Sequence, residues 1–253
     1  MALLPEDDYT SWGWRVPFLL SAGLVVVGVL LRLRVSESPE FVAARAAGET
    51  AKGLPLARVL RTSWRALVLT AIVGIVPLFV QVLTQSVGIG YSVGAGNHPT
   101  AVLWLFTGAS VLQALVIPLY AHASDRFGRI PTLLVGLVVA GALFGPVFAL
   151  LGSTALPVVF AGFVLLTCIV QAPTYGPYGA FANEHYDVAV RYTGGSLSYQ
   201  IAGGIGGGIA PVLGGALLVA SAGSVWPLAV VFAGIVVVAI IAVLLALSLR
   251  PHV

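Results

Sequence analysis

The chain has 253 residues, of which 59% are hydrophobic and only 8% charged, against about 25% charged in an ordinary soluble domain. So few charges cannot cover a water-facing surface, and the same figures exclude a disordered chain, which needs low hydrophobicity and high net charge. The net charge of +3 comes from basic residues set between apolar runs, not from a water-facing patch, which argues against nucleic-acid binding. What remains is an integral membrane protein.

An acidic start with Glu6, Asp7 and Asp8 precedes an apolar run over 12–33 that only Arg15 interrupts. This start lacks the basic region of a cleavable signal, so the first span is expected to be retained. Trp12 and Trp14 suit an outer aromatic belt. Residues 34–65 form the longest polar stretch, with nine charged residues, and predict a cytoplasmic linker, in which ARAAGETAK (44–52) could form a short surface helix.

Beyond the linker, residues 66–124, 130–183 and 192–249 contain no Asp, Glu, Lys or Arg. A helix crosses a bilayer core in about 20 residues, so each block holds two crossings. Helix-breaking residues at 88–99, 152–157 and 221–227 divide the blocks. The prediction is an all-α membrane bundle of seven transmembrane helices, near 12–33, 66–87, 100–121, 130–151, 156–178, 196–219 and 227–249. It falls into an extracellular start with the first helix (1–33), the linker (34–65) and a six-helix transmembrane bundle (66–253).

Every two-span block begins and ends at a charged segment, which puts all these segments on one side. All basic residues except Arg15 lie there: Arg32, Arg34, Arg45, Lys52, Arg58, Arg61, Arg65, Arg126, Arg129, Arg191 and Arg250. The positive-inside rule makes that side the cytoplasm of a plasma-membrane protein, with the amino terminus outside and the carboxy terminus inside.

Lipid cannot satisfy a polar side chain, so polar groups within spans face another helix or a water-filled path. The fourth and seventh spans are almost wholly apolar and suit lipid-facing positions. The others carry candidate path residues Gln81, Gln85, Gln113, Gln171, Tyr175, Tyr199 and Gln200. Gln81 and Gln85 share a helix face, as do Gln171 and Tyr175. The simplest arrangement is four polar-striped helices around a cavity with two apolar helices outside. In the sixth span Gly204, Gly208 and Gly215 have small-xxx-small spacing for close helix packing, and Pro211 should bend the helix.

No Asp, Glu or Lys falls within the seven predicted spans, so no intramembrane proton relay is evident. Cys168 stands alone, and His98, His122, His185 and His252 lack metal-ligand spacing. Neither an enzyme nor a cofactor is supported.

The segment AHASDRFGR (121–129) resembles the signature loop of the major facilitator superfamily, with Ala121 where glycine is usual. WGWRVPFLLS (12–21), RLRVSESPEF (32–41), VRYTGGSLSYQ (190–200) and GGGIAP (206–211) resemble its metabolite:proton symporters. The resemblance implies the sixth helix, the central loop and the carboxy-terminal half of a twelve-helix carrier. It also implies a cytoplasmic gate network at Asp125, Arg126, Gly128 and Arg129, with Glu184 and Arg191 in the facing loop. The implied function is symport of a small carboxylate or zwitterion, with protons as coupling ion. One half cannot enclose a path, so activity would require an amino-terminal half or self-association. A transport-inactive fragment and a seven-helix receptor or scaffold are the alternatives.

Overall fold

The computed structural model describes residues 6–34 and 55–249. Seven helices among them are long and apolar enough to cross a bilayer. The expected surface helix over 44–52 and most of the predicted linker lie outside the described residues.

The chain forms two units, 1–50 and 51–253. The first holds a short helix α1 (Glu6–Ser11) and the span α2 (Gly13–Leu33). Trp12 and Trp14 are exposed, and the Arg15 guanidinium lies 4.5 Å over the Trp14 ring.

The second unit opens with α3 (Pro55–Thr62), followed by six spans: α4 (Trp64–Gly94), α5 (Pro99–Phe127), α6 (Arg129–Gly152), α7 (Leu156–Asn183), α8 (Arg191–Ala220) and α9 (Trp226–Ala246). From their charges, residues 55–62 read as linker with no helix. Helix α3 is instead part of this unit, because Val59 packs with Ala66, Leu67, Tyr186 and Val190.

The spans run past the predicted ends, to Gly94, Phe127 and Asn183. An α-helix satisfies its own backbone whether or not lipid surrounds it, so it continues beyond the apolar run until a break is imposed. The turns left between spans are short. Gly96 supplies φ +102°, and buried Asn97 donates from Nδ2 to the Ser153 carbonyl at 2.7 Å. The Tyr91 hydroxyl donates to the Gly223 carbonyl at 3.3 Å, which gathers the three turns at one end of the bundle.

The centre of the unit is aromatic. Phe144 on α6 and Phe232 on α9 lie 4.3 Å apart between ring centroids. Phe148 and Phe79 extend the stack at 5.5 and 5.8 Å. The two apolar spans therefore do more than border lipid: one face of each is core, with Leu133, Leu137, Val236 and Val243 buried, while Val135, Val138, Val237 and Ile241 are exposed. The least buried of the six is α5, where only Val102, Ala109 and Ser124 are buried.

Close helix contacts fall at other glycines than the spacing predicted. A Cβ at Gly204, Gly208 or Gly215 would meet nothing within 4 Å. One at Gly206 would come 2.8 Å from the Ile75 carbonyl, and one at Gly214 would strike Leu83. A five-residue π-helical stretch, Gly203–Gly207, shifts the helix phase, so the face that meets α4 is carried by Gly206 and Gly214. Pro211 lies inside the helix that follows.

Candidate functional site

Two places on the second unit bring together side chains that an apolar core does not require. The first is the face where α4, α7 and α8 meet. Tyr178 on α7 reaches across to Gly74 on α4, and a Cβ there would clash with its Cζ and hydroxyl oxygen. Its hydroxyl is buried with no hydrogen-bond partner among the described residues. The ring of Tyr199 on α8 lies 6.5 Å from that of Tyr178, and the Tyr199 hydroxyl meets that of Tyr175 at 3.4 Å. One helical turn before Tyr175, Gln171 accepts a hydrogen bond from the Gln113 side-chain amide on α5 at 2.7 Å.

The structure thus joins Gln113 with Gln171 and Tyr175 with Tyr199. Gln81, Gln85 and Gln200 are exposed. Gln81 stands two turns beyond Gly74 and Gln85 one turn further, which keeps both near the same face of α4. The face is open at Gln81, Gln85, Tyr199 and Gln200. Two apolar clefts lie elsewhere on the unit, one of about 430 Å³ beside Tyr120, Phe127 and Val135 and one of about 510 Å³ beside Ile72, Phe79 and Ile205.

Three π-helical stretches flank this face: Thr84–Gly88 in α4, Leu165–Gln171 in α7 and Gly203–Gly207 in α8. Such stretches widen a helix by one residue per turn and recur at functional sites. Thr84 opens the first of them, and its hydroxyl is buried with no partner among the described residues.

The second place is the charged end. Gly128 breaks the chain between α5 and α6 at φ +93° and ψ 142°, a conformation nearly reserved for glycine. That break sets Arg129 at the start of α6, where Nη2 lies 3.3 Å from Asp125 and Nε contacts the Glu184 carboxylate. Arg129 therefore ties the α5–α6 connection to the α7–α8 loop. Arg126 is exposed and lies 5.6 Å over the Phe127 ring. Arg191 donates from Nε to the Tyr186 carbonyl at 3.5 Å.

The same loop is pinned from beneath. The Tyr186 hydroxyl lies 2.7 Å from the Ser198 hydroxyl and 3.1 Å from that of Thr70, and these two are 2.8 Å apart. Burial pushes the Tyr186 hydroxyl up, against the pull of its bonds to Ser198 and Thr70, so it stays protonated and able to donate. The Tyr186 ring occupies the space a Cβ at Gly194 would take.

Sequence reasoning missed Tyr178, Tyr186, Thr70 and Gly74 as partners. Their signal is pairwise: each small residue matters because of a large one far along the chain.

Residues 75–253 match the family model described as Major Facilitator Superfamily. The chain is 32% identical over 218 residues to the inner membrane metabolite transport protein YhjE of Escherichia coli (strain K12), a match covering 83% of this chain and 49% of that protein. It is 28% identical to the shikimate transporter of the same organism, covering 97% of this chain and 57% of that one. It is 27% identical to the ectoine/proline transporter ProP of Corynebacterium glutamicum, with 80% and 42% covered. The chain spans about half the length of these relatives. No solved structure matches it.

Proposed function

The chain belongs to the major facilitator superfamily, and from that premise we propose that its second unit is one half of a secondary transporter for a small carboxylate or zwitterionic metabolite. The observation that carries this reading is the open polar face. Gln81, Gln85, Tyr199 and Gln200 are exposed within the charge-free stretches of α4 and α8, and polar groups turned to lipid are costly. A complementary six-helix half would cover that face and leave a water-filled path between the two, either as an amino-terminal half or as a second copy of the chain.

Transport then proceeds by rocking one half against the other. Arg129, held between Asp125 and Glu184, is the charged latch at the cytoplasmic end, with Arg126 and Arg191 beside it and Gly128 setting the geometry. The membrane is the cell membrane, the charged end faces the cytoplasm and the amino terminus lies outside. The relatives named for shikimate, ectoine, proline and betaine support a small carboxylate or zwitterion as substrate. Proton coupling requires an ionisable group in the path. Residues 66–124, 130–183 and 192–249 supply no carboxylate, so the coupling group would come from the complementary half.

Uptake of radiolabelled carboxylates and zwitterions into proteoliposomes under an imposed pH gradient tests the reading, with the chain alone and combined with a relative's amino-terminal half. Uptake in either preparation supports it. No uptake of any family substrate in both would leave an inert fragment.

A further inference from the structure

We propose that Tyr175 and Tyr199, with Tyr178 as a positioning residue behind them, recognise a compact organic cation, the ammonium end of a zwitterion. The inference rests on reading the open face of α4, α7 and α8 as the wall of a substrate path, and it narrows the substrate class to one of the two kept open above.

The argument starts from charge. Residues 66–124, 130–183 and 192–249 contain no Asp, Glu, Lys or Arg, so this half offers an incoming ion no formal counter-charge at mid-span. An anion entering there loses water and meets no cation. A compact cation is in a different position, because the negative face of an aromatic ring attracts it within about 6 Å, and the attraction grows as water leaves.

The rings are placed to act in this way. Tyr199 is 39% exposed, and its hydroxyl meets that of Tyr175, which is half-buried, at 3.4 Å. The two phenols, from α8 and α7, thus meet through their hydroxyls with both side chains partly exposed. Tyr178 is only 2% exposed and lies behind them, its ring 6.5 Å from that of Tyr199 and inclined at 35°. It can stand there because Gly74 and Ala202 leave a notch between α4 and α8. Exposed Gln200, next to Tyr199, offers a neutral amide that can donate to the carboxylate end of the same ligand.

The test compares isosteres. N,N,N-trimethylglycine and 3,3-dimethylbutanoate have the same shape and carboxylate and differ in a cationic nitrogen against a neutral carbon. Binding of each, and of 2-oxoglutarate, is measured by equilibrium dialysis on the full chain purified in detergent. The proposal expects trimethylglycine to bind about tenfold more tightly than its carbon isostere. Tyr199→Phe should keep that ratio, and Tyr199→Leu should bring it within about twofold. Because Tyr199 is exposed, both variants should melt as the parent does. Equal affinity for the two isosteres, tighter binding of 2-oxoglutarate, an unchanged ratio in Tyr199→Leu, or no binding of any of the three would each overturn it. Uptake of a dicarboxylate by the paired halves would leave the transporter reading intact while this one fails.

Discussion

The contact between α6 and α9 and the contact between α7 and α8 are both built on aromatic rings, yet they end in opposite ways. Phe144 and Phe232 close on each other at 4.3 Å and are fully buried, whereas Tyr175 and Tyr199 meet only through their hydroxyls, and Tyr199 stays open. In lipid an apolar side chain loses little by facing outward, so burial of Phe144 reflects packing alone. A phenol turned outward does lose, so its exposure marks a face made for water, a ligand or another protein surface. The first region is finished by this chain; the second is not.

The largest effect is expected where the finished region is cut. Phe144→Ala should cost about 3 kcal/mol, the low end for a buried phenylalanine, as a lowered melting temperature in detergent. Leu115→Ala, 66% exposed on α5, should stay within about 0.5 kcal/mol. Equal losses at the two positions would erase the distinction between core and outer helix.

Next comes the glycine face of α8. Gly206→Ala puts a methyl group 2.8 Å from the backbone carbonyl of Ile75, which cannot swing aside, and should cost about 1–3 kcal/mol. Gly204→Ala enters open space and should leave melting unchanged or raise it slightly. The reverse order would restore the phase predicted from small-xxx-small spacing.

Tyr186→Phe removes one corner of the buried hydroxyl triangle and leaves Thr70 and Ser198 bonded to each other at 2.8 Å. A loss of about 1 kcal/mol is expected, read by hydrogen exchange in the α7–α8 loop. The smallest change in stability belongs to Glu184→Gln, since side-chain exposures of 27% for Arg129 and 40% for Glu184 leave their pair worth at most about 1 kcal/mol. If the latch acts as proposed, uptake by the paired halves should fall far more than melting does. Parallel small changes in both would reduce the pair to a surface contact.

The seven spans were legible because charge is excluded from hydrocarbon, and the three charge-free blocks mark where the chain is out of water. Gln81, Gln85, Gln113 and Gln171 were legible as candidates for the same reason: polarity in a span has to be accounted for. Which of them meet was not. The pairing of Gln113 with Gln171 depends on α5 and α7 lying side by side, and periodicity within either helix does not specify it. Helix α3 was hidden because its arginines read as linker, while its single buried anchor, Val59, has its partners at 66–67 and 186–190.

By itself the sequence determined the number of spans and their ends to within several residues, because both follow from the chain's local cost of leaving water. Tertiary structure decided which glycines are contact points, which aromatic rings became core, and how Arg129 came to hold both Asp125 and Glu184. Those outcomes depend on helix phase and on neighbours more than fifty residues away, and three π-helical stretches change the phase in ways that a count of residues per turn does not carry.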